Sequence, residues 1–385
     1  MIQIINKKDC CGCAACVQRC PKKCINFKSD SEGFLYPIVD ADKCIKCGLC
    51  IKTCPILNSN NKKDPIAAYA AIYKNETIRN ESSSGGMFSL LATNIINEGG
   101  VVFGATFDKA WNVIHSYTQS AAELWRFRGS KYVQSDIKES YIIAKNFLKN
   151  NYKVLFTGTP CQISGLKHFL NKDYENLITV DVSCHGVPSP KVWTQYLNYL
   201  FFKQKINKQD IGNIYFREKS NGWICYNFAI KNSKEEIIYK EPHTENLFMK
   251  AFLSNLILRP SCYICQFKQG KSNSDLTIAD YWKGWEVYPQ IHDNKGISLV
   301  LVNSKKGNLL YNSLKTELIS FTTEYKHALK TNHGLQEIEY TNKYRDIFFK
   351  SLDKENIEKL IKKYTKIQWN IRIKKILKKI RKKIN

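Results

Sequence analysis

The chain has 385 residues, 43% hydrophobic and 24% charged, with a formal net charge of +25. That length and apolar content bury one large core or two ordinary ones and exclude a disordered chain. The start, MIQIINKKDC, is too short and too early charged for a signal peptide, and no stretch of about 20 apolar residues offers a bilayer span, so a cytoplasmic protein is expected.

In chain order, residues 1–57 are cysteine-rich and internally repeated, each copy ending in Cys-Pro: Cys20-Pro21 and Cys54-Pro55. Between the copies, INFKSDSEGFLYPIVDADK places apolar stretches around Ser-Asp-Ser-Glu-Gly and predicts a β-hairpin. The polar residues 58–65, ending in Pro65, read as a linker. From Ile66 strands and helices alternate. IAAYAAIY predicts a strand, MFSLLATNIINEGG a helix stopped by Gly99-Gly100, and VVFGATFD a strand. Residues 135–150 read as helical, YKVLFTGTP as a buried strand, ISGLKHFL as a helix and LITVDVSCHG as another buried strand. Further strand signals follow in IGNIYF, WICYNFAI, DLTIADYW and ISLVLVN. The expected architecture is an α+β ferredoxin-like domain at 1–57 and a larger α/β domain at 66–345. The second has a mainly parallel sheet with added strands, and a basic helical tail follows at 346–385.

Fifteen cysteines in a reducing compartment point to metal or redox work rather than disulfides. Cys10, Cys13, Cys16 and Cys20 fit C-x-x-C-x-x-C-x-x-x-C-P, and so do Cys44, Cys47, Cys50 and Cys54. A cubane cluster needs four thiolates around one compact object, and in paired motifs the fourth Cys of each run serves the other cluster. Two [4Fe-4S] clusters are therefore expected. Cys10, Cys13, Cys16 and Cys54 hold one, and Cys44, Cys47, Cys50 and Cys20 the other. A single copy could be a zinc site; two copies with both prolines argue against it. Cys11 and Cys24 lie outside the motif and read as small packing residues. Residues 1–57 carry nine Lys or Arg against five acids. Cations near a cluster favour its reduction, and the same lysines also read as an ordinary solvated surface.

Five cysteines remain. Cys161 and Cys184 each follow a buried strand, at the sheet edge where ligands of α/β domains bind. Cys262 and Cys265 form a C-x-x-C. These four suit a third four-thiolate site or a structural or zinc arrangement, and Cys225 reads as core.

The segments SSSGGMFSLL, GSKYVQS, GTPCQISGLK, SCHGVPSP and RPSCYICQFK to DLTIADYW resemble the beta subunit family of coenzyme F-420 hydrogenase/dehydrogenase, over roughly residues 66–300. The resemblance implies FAD and an iron–sulfur cluster that pass electrons to or from a hydride carrier. Carried over, it implies a third [4Fe-4S] cluster on Cys161, Cys184, Cys262 and Cys265. It also implies a flavin near Ser82, Ser83, Ser84, Gly85, Gly86 and Lys131. A helix start favours phosphate, glycines let the backbone approach it and a lysine adds charge. An ordinary Ser N-cap is the other reading. The chain departs from many relatives in having Ala279 before Asp280 where they carry Gly. Relatives from AT-rich bacteria generally lack F-420 and often sit among genes for surface polysaccharides. The expectation is thus an iron–sulfur flavoprotein oxidoreductase with a low-potential electron donor or acceptor as partner. Its expected substrate is a small molecule or glycan precursor. An F-420-dependent enzyme and an electron-transfer subunit without a substrate site are the alternatives. His185 and His243 read either as proton donors or as hydrogen-bonded structural histidines.

Residues 361–385 hold eleven Lys or Arg and no acid. In WNIRIKKILKKIRKKIN, Trp369, Ile373, Ile376 and Ile380 share one helical face. A peripheral contact with the inner face of an anionic membrane is expected, with an acidic partner or a solvated tail as alternatives. No motif that reads nucleic acid accompanies the charge, so none is expected as partner.

Overall fold

The cysteine repeat folds as two short helices flanking a hairpin. The computed structural model describes residues 1–59, 64–269, 271–338 and 340–365. Helix α1 (Ala15–Arg19) precedes strands β1 (Ile25–Ser29) and β2 (Leu35–Val39), and α2 (Leu49–Lys52) follows. The strands pair antiparallel from Ile25 opposite Val39 to Ser29 opposite Leu35. Their turn forms because the Asp30 carboxylate accepts the Glu32 and Phe34 N–H groups while Gly33 takes φ +88°, an Asx-type reversal suited to glycine.

The larger region contains β3 (Ala67–Tyr73), α3 (Glu76–Glu81), α4 (Met87–Asn97), β4 (Val101–Phe107), β5 (Val113–Thr118), α5 (Ser140–Lys149), β6 (Val154–Gly158), α6 (Pro160–Leu170), β7 (Leu177–Val182) and α7 (Pro190–Gln204). It continues with β8 (Ile211–Glu218), β9 (Asn227–Asn232), β10 (Ile237–Pro242), α8 (Leu247–Leu253), β11 (Leu276–Asp280), α9 (Gly284–Val287), β12 (Ser298–Val302), α10 (Lys305–Ser313), β13 (Leu318–Thr323), α11 (Tyr325–Thr331) and α12 (Arg345–Ser351). The main sheet has the order β13-β3-β12-β11-β7-β6-β4-β5. The expected parallel set is its centre: β4, β6, β7 and β11 run side by side in one direction. β5, β12, β3 and β13 extend it through antiparallel pairings, so the whole sheet is mixed.

Apolar strands buried on both faces explain the three-layer packing. Leu90, Leu91 and Ile95 of α4 cover Val102, Leu155 and Val180 on one face. Tyr141 and Ala144 of α5, with Ile163 and Leu166 of α6, cover Phe103, Val154 and Phe156 on the other. Each buried Val, Leu, Ile or Phe among them contributes about 1.5–3 kcal/mol. A second sheet, β10-β9-β8, packs with α7 and α8 around Trp193, Tyr196, Phe216, Phe228 and Phe248.

Three local readings change. In residues 135–150 the helix begins only at Ser140; Ser135 instead bonds to His115. In WICYNFAI the strand begins at Asn227, because Trp223 and Tyr226 turn inward and break the alternation. Cys225, expected in the core, lies in that turn and is exposed. A helical stretch from residue 357 reaches the end of the described chain; the tail's Trp369, Ile373, Ile376 and Ile380 lie outside the described residues. Among the described residues no helix is long and apolar enough to cross a membrane.

Candidate functional site

The Cys10 loop delivers its thiols to α1. Cys16 is pushed well above the usual thiol range by burial and then by neighbouring Cys10, Cys54 and Cys50, and Cys13 lies within electrostatic reach of Cys16 and Cys54. Cys10, Cys13, Cys16 and Cys54 thus lie near one another across the repeat, with Cys50 beside Cys16 and Cys54. Cys20, Cys44, Cys47 and Cys50 line one small cavity, the crossed pattern expected of the second set. Cys24 borders the same cavity, with its sulfur 3.4 Å from that of Cys20. The Cys10 set is turned inward, whereas Cys47 of the other set is exposed.

The second-half cysteines also converge. Cys161 is the second residue of α6, held by a capping box of Thr159 and Gln162 at the helix start. Cys184 lies just past β7, and Cys262 and Cys265 lie on a short 3-10 turn after α8. The Val187 N–H donates to the Cys262 sulfur (3.4 Å), pinning the two loops together. Burial pushes Cys184 upward, and Cys262, Cys161 and Cys265 add to it. Cys262 is pushed up to about 12 by burial and then by Cys265 and Cys161. Crowded buried thiols ionise together only when cationic metal joins them. These four thiols fit an iron–sulfur group in donor chemistry. Among the described residues no three His, Cys, Asp or Glu side chains converge tightly enough for a single metal ion.

The inner ferredoxin loop touches this quartet's helix. Cys13 packs so closely on α6 that a Cβ at Gly165 would lie 2.8 Å from that of Cys13. Cys11, buried at 7% exposure, interacts with both Cys13 and Cys161. It packs as expected, at a junction its sequence did not reveal.

A cavity of about 470 Å³ opens at the carboxyl ends of the central strands, bordered by Ala105, Thr157, Val182 and Ile278. Ser82, Ser83, Ser84, Gly86, Lys131 and Cys184 all line it. The serine hydroxyls are occupied by protein. Ser82 donates to the Ile78 carbonyl, Ser84 to the Ile297 carbonyl, and Ser83 accepts from the Ser130 N–H at 2.7 Å. Gly85 lies behind the wall and donates to Ser298 Oγ; a Cβ there would stand 2.5 Å from the Ala71 carbonyl. Gly86, at φ +92°, is the N-cap of α4, which has no side-chain cap. The ordinary Ser N-cap is thereby excluded. What faces the cavity is an uncapped helix start, suited to a phosphate.

Lys131 reaches the Arg128 and Gly129 carbonyls at 3.2 and 3.4 Å. It is half-buried at the cavity wall, and burial brings its ammonium down to about 7. His185 lines the cavity with Nε2 bonded to Asn255 Oδ1 at 2.6 Å, and burial lowers its pKa. His243 does not line it; it stacks on Tyr226 and bonds its carbonyl.

Sequence reasoning missed His115 and Arg217. His115 Nε2–H donates to the Thr157 carbonyl, so Nδ1 accepts from Ser135, which in turn accepts from Gln162. Burial lowers this histidine to about 4 and keeps it neutral. Arg217 borders the cavity from β8, pairs with Asp280 at 2.5 Å and packs over Tyr226 and Trp282. The only sequence signal for it was a charge inside an apolar strand.

Ferredoxin-pattern cysteines are packed against an α/β domain whose Cys184 borders a cavity, and this arrangement defines an iron–sulfur protein with a joined α/β domain. The chain belongs to the coenzyme F420 hydrogenase/dehydrogenase beta subunit family. Residues 68–140 match the family's N-terminal part and residues 151–326 its C-terminal part. Residues 9–57 match the 4Fe-4S dicluster domain. The chain is similar to a coenzyme F420-dependent sulfite reductase of Methanocaldococcus jannaschii, 23% identical over 277 residues. That match takes in 71% of this chain but 39% of the relative, so the chain spans about two fifths of the curated relative's length. A chain of the xenon-derivatised F420-reducing [NiFe] hydrogenase complex from Methanosarcina barkeri is similar at TM-score 0.46 and 14% identity, over 80% of this chain and 92% of that one.

Proposed function

We propose that the chain is a three-cluster iron–sulfur flavoprotein. Cys10, Cys13, Cys16 and Cys54 hold the inner ferredoxin cluster, Cys44, Cys47, Cys50 and Cys20 the outer one, and Cys161, Cys184, Cys262 and Cys265 a third. The cavity holds FAD, with its diphosphate at the start of α4 beside Lys131. When bound, the clusters supply one-electron exchange and the flavin links it to hydride chemistry with an organic substrate.

One observation carries this reading. Cys184 belongs to the thiol quartet and also walls the cavity, while Cys161 of the same quartet touches Cys11 of the ferredoxin loop. The protein's residues therefore line up as exposed Cys47, inner Cys10 set, quartet and cavity. The walls of that cavity carry Arg128, paired with Glu81, Arg217, paired with Asp280, and Lys131, whose ammonium is the cation left to meet an anionic cofactor or substrate. The neutral His115 network lines the cavity, and His185 and His333 are the other histidines that line it and could exchange a proton with a bound molecule.

A glycan precursor is the substrate class to test first, and a cytoplasmic site with the tail against the membrane is the proposed location. The relative's F420 dependence favours a second reading, in which F-420 is the hydride partner. Anaerobic reconstitution tests the main reading. About twelve irons and twelve sulfides per chain with bound FAD support it, and about eight of each without flavin refute it. Cys262→Ser should lose one cluster and keep the ferredoxin pair. Reduction of added F-420 by the dithionite-reduced protein would favour the second reading.

A further inference from the structure

Arg259 is a fully buried guanidinium at the seam between the ferredoxin loop and the larger domain. Arginine keeps its proton in proteins, so its charge needs an opposite charge or a dense shell of acceptors. Among the described residues no carboxylate pairs with it. Its contacts instead come from the seam. Nε donates to the Cys10 carbonyl at 2.8 Å, Nη1 to Gln134 Oε1 at 2.9 Å, and Nη2 to the Leu35 carbonyl at 3.0 Å and the Cys10 sulfur at 3.6 Å. The guanidinium packs over the Tyr36 ring at 4.3 Å. A Cβ at Gly12 would come within 2.8 Å of Nη1, so the cysteine loop is shaped around this side chain. On the other side, the Arg259 carbonyl accepts from the Cys262 N–H, and the guanidinium lies within electrostatic reach of Cys161 and Cys262.

We propose that Arg259 is the shared counter-charge of the two inner cysteine sets, and that it raises the reduction potential at the Cys10 set relative to the exposed Cys47 set. The proposal rests on ligation by the cysteines and not on the flavin. A fixed buried cation next to one thiolate group stabilises the added electron there, because the low-dielectric surroundings screen it little. The Cys47 set shares no contact with Arg259. Arg259 is thus a positioning residue: it sets a downhill step toward the cavity and locks the two loops in register.

The test is a redox titration of the anaerobically reconstituted full chain followed by electron paramagnetic resonance. Cys47→Ser identifies the outer signal. Arg259→Gln, which keeps a donor and removes the charge, should retain its iron. It should move the inner ferredoxin midpoint negative by at least tenfold in the one-electron equilibrium, about 59 mV, with the outer midpoint unchanged. Full iron with no shift, or an equal shift at both signals, overturns the proposal. If Arg259→Gln fails to assemble, Arg259→Lys decides. A midpoint near that of the wild type supports the charge as cause, and a full negative shift overturns it. A wild-type chain that binds fewer than about eight irons would instead refute the ligation reading itself.

Discussion

At the scale of single residues, Lys131 shows how enclosure changes the chemistry of an ordinary side chain. The cavity walls lower its ammonium from 10.5 to about 7, so near neutrality the free protein holds it partly uncharged. A bound phosphate favours the cation. Binding of FAD or pyrophosphate should therefore take up a proton above pH 7, and affinity should fall toward tenfold per pH unit from 7 to 9. Calorimetry in buffers of different ionisation enthalpy measures this, and Lys131→Gln should flatten the profile; an unchanged profile in that variant removes Lys131 from the site. For folding the direction is opposite: stability rises with pH where anion affinity falls. The unfolded lysine keeps its proton up to about 10.5, so the penalty for enclosing it is complete below pH 7. That penalty is relieved as pH rises from 7 to 10.5.

At the scale of elements, the ferredoxin hairpin is clamped to the larger domain through its turn. Glu32 receives two bonds from Arg345 of α12, whose Nε and Nη2 also reach the Leu258 carbonyl. Both partners are largely buried, at 7% and 14% side-chain exposure. Ser189, at the N-cap of α7, donates to the Glu32 carbonyl, and Gly33 lies against Lys191. Removing one member of a buried pair strands the other charge. Glu32→Ala should cost about 3–5 kcal/mol in denaturant unfolding of the whole chain. A change below about 0.5 kcal/mol would mean that the clamp is replaceable by water. The α6 start shows the complementary case: a capping box and Pro160 set the helix so that Cys161 emerges at the sheet edge.

At the scale of the whole molecule, the thiol sets differ in exposure. Cys47 is exposed, Cys13, Cys16 and Cys54 are buried, and the four quartet cysteines are half-buried, with Cys184 at the cavity wall. Loss of iron requires access, so a chelator should strip the outer cluster first. The signal missing from Cys47→Ser should decay several-fold faster than the others under chelator. Equal decay of all signals would show that the protein opens globally before it loses metal.

The amino-acid sequence alone specified the cysteine repeat, the hairpin and the alternating strands, which rest on local spacing and periodicity, and local spacing survives without knowledge of the fold. The family was legible through the resemblance of whole segments. The sequence also placed the loop at residues 82–86 and Lys131 together, through the resemblance. Tertiary structure alone brought Cys11 to Cys161, Arg259 to Cys10 and Arg217 to the cavity, since their partners lie from 63 to 249 residues away along the chain. It also excluded the serine cap at α4 and put Cys225 on the surface. Those outcomes depend on which face of a turn points inward, and that is settled by packing across the sheet edge rather than by neighbours in sequence.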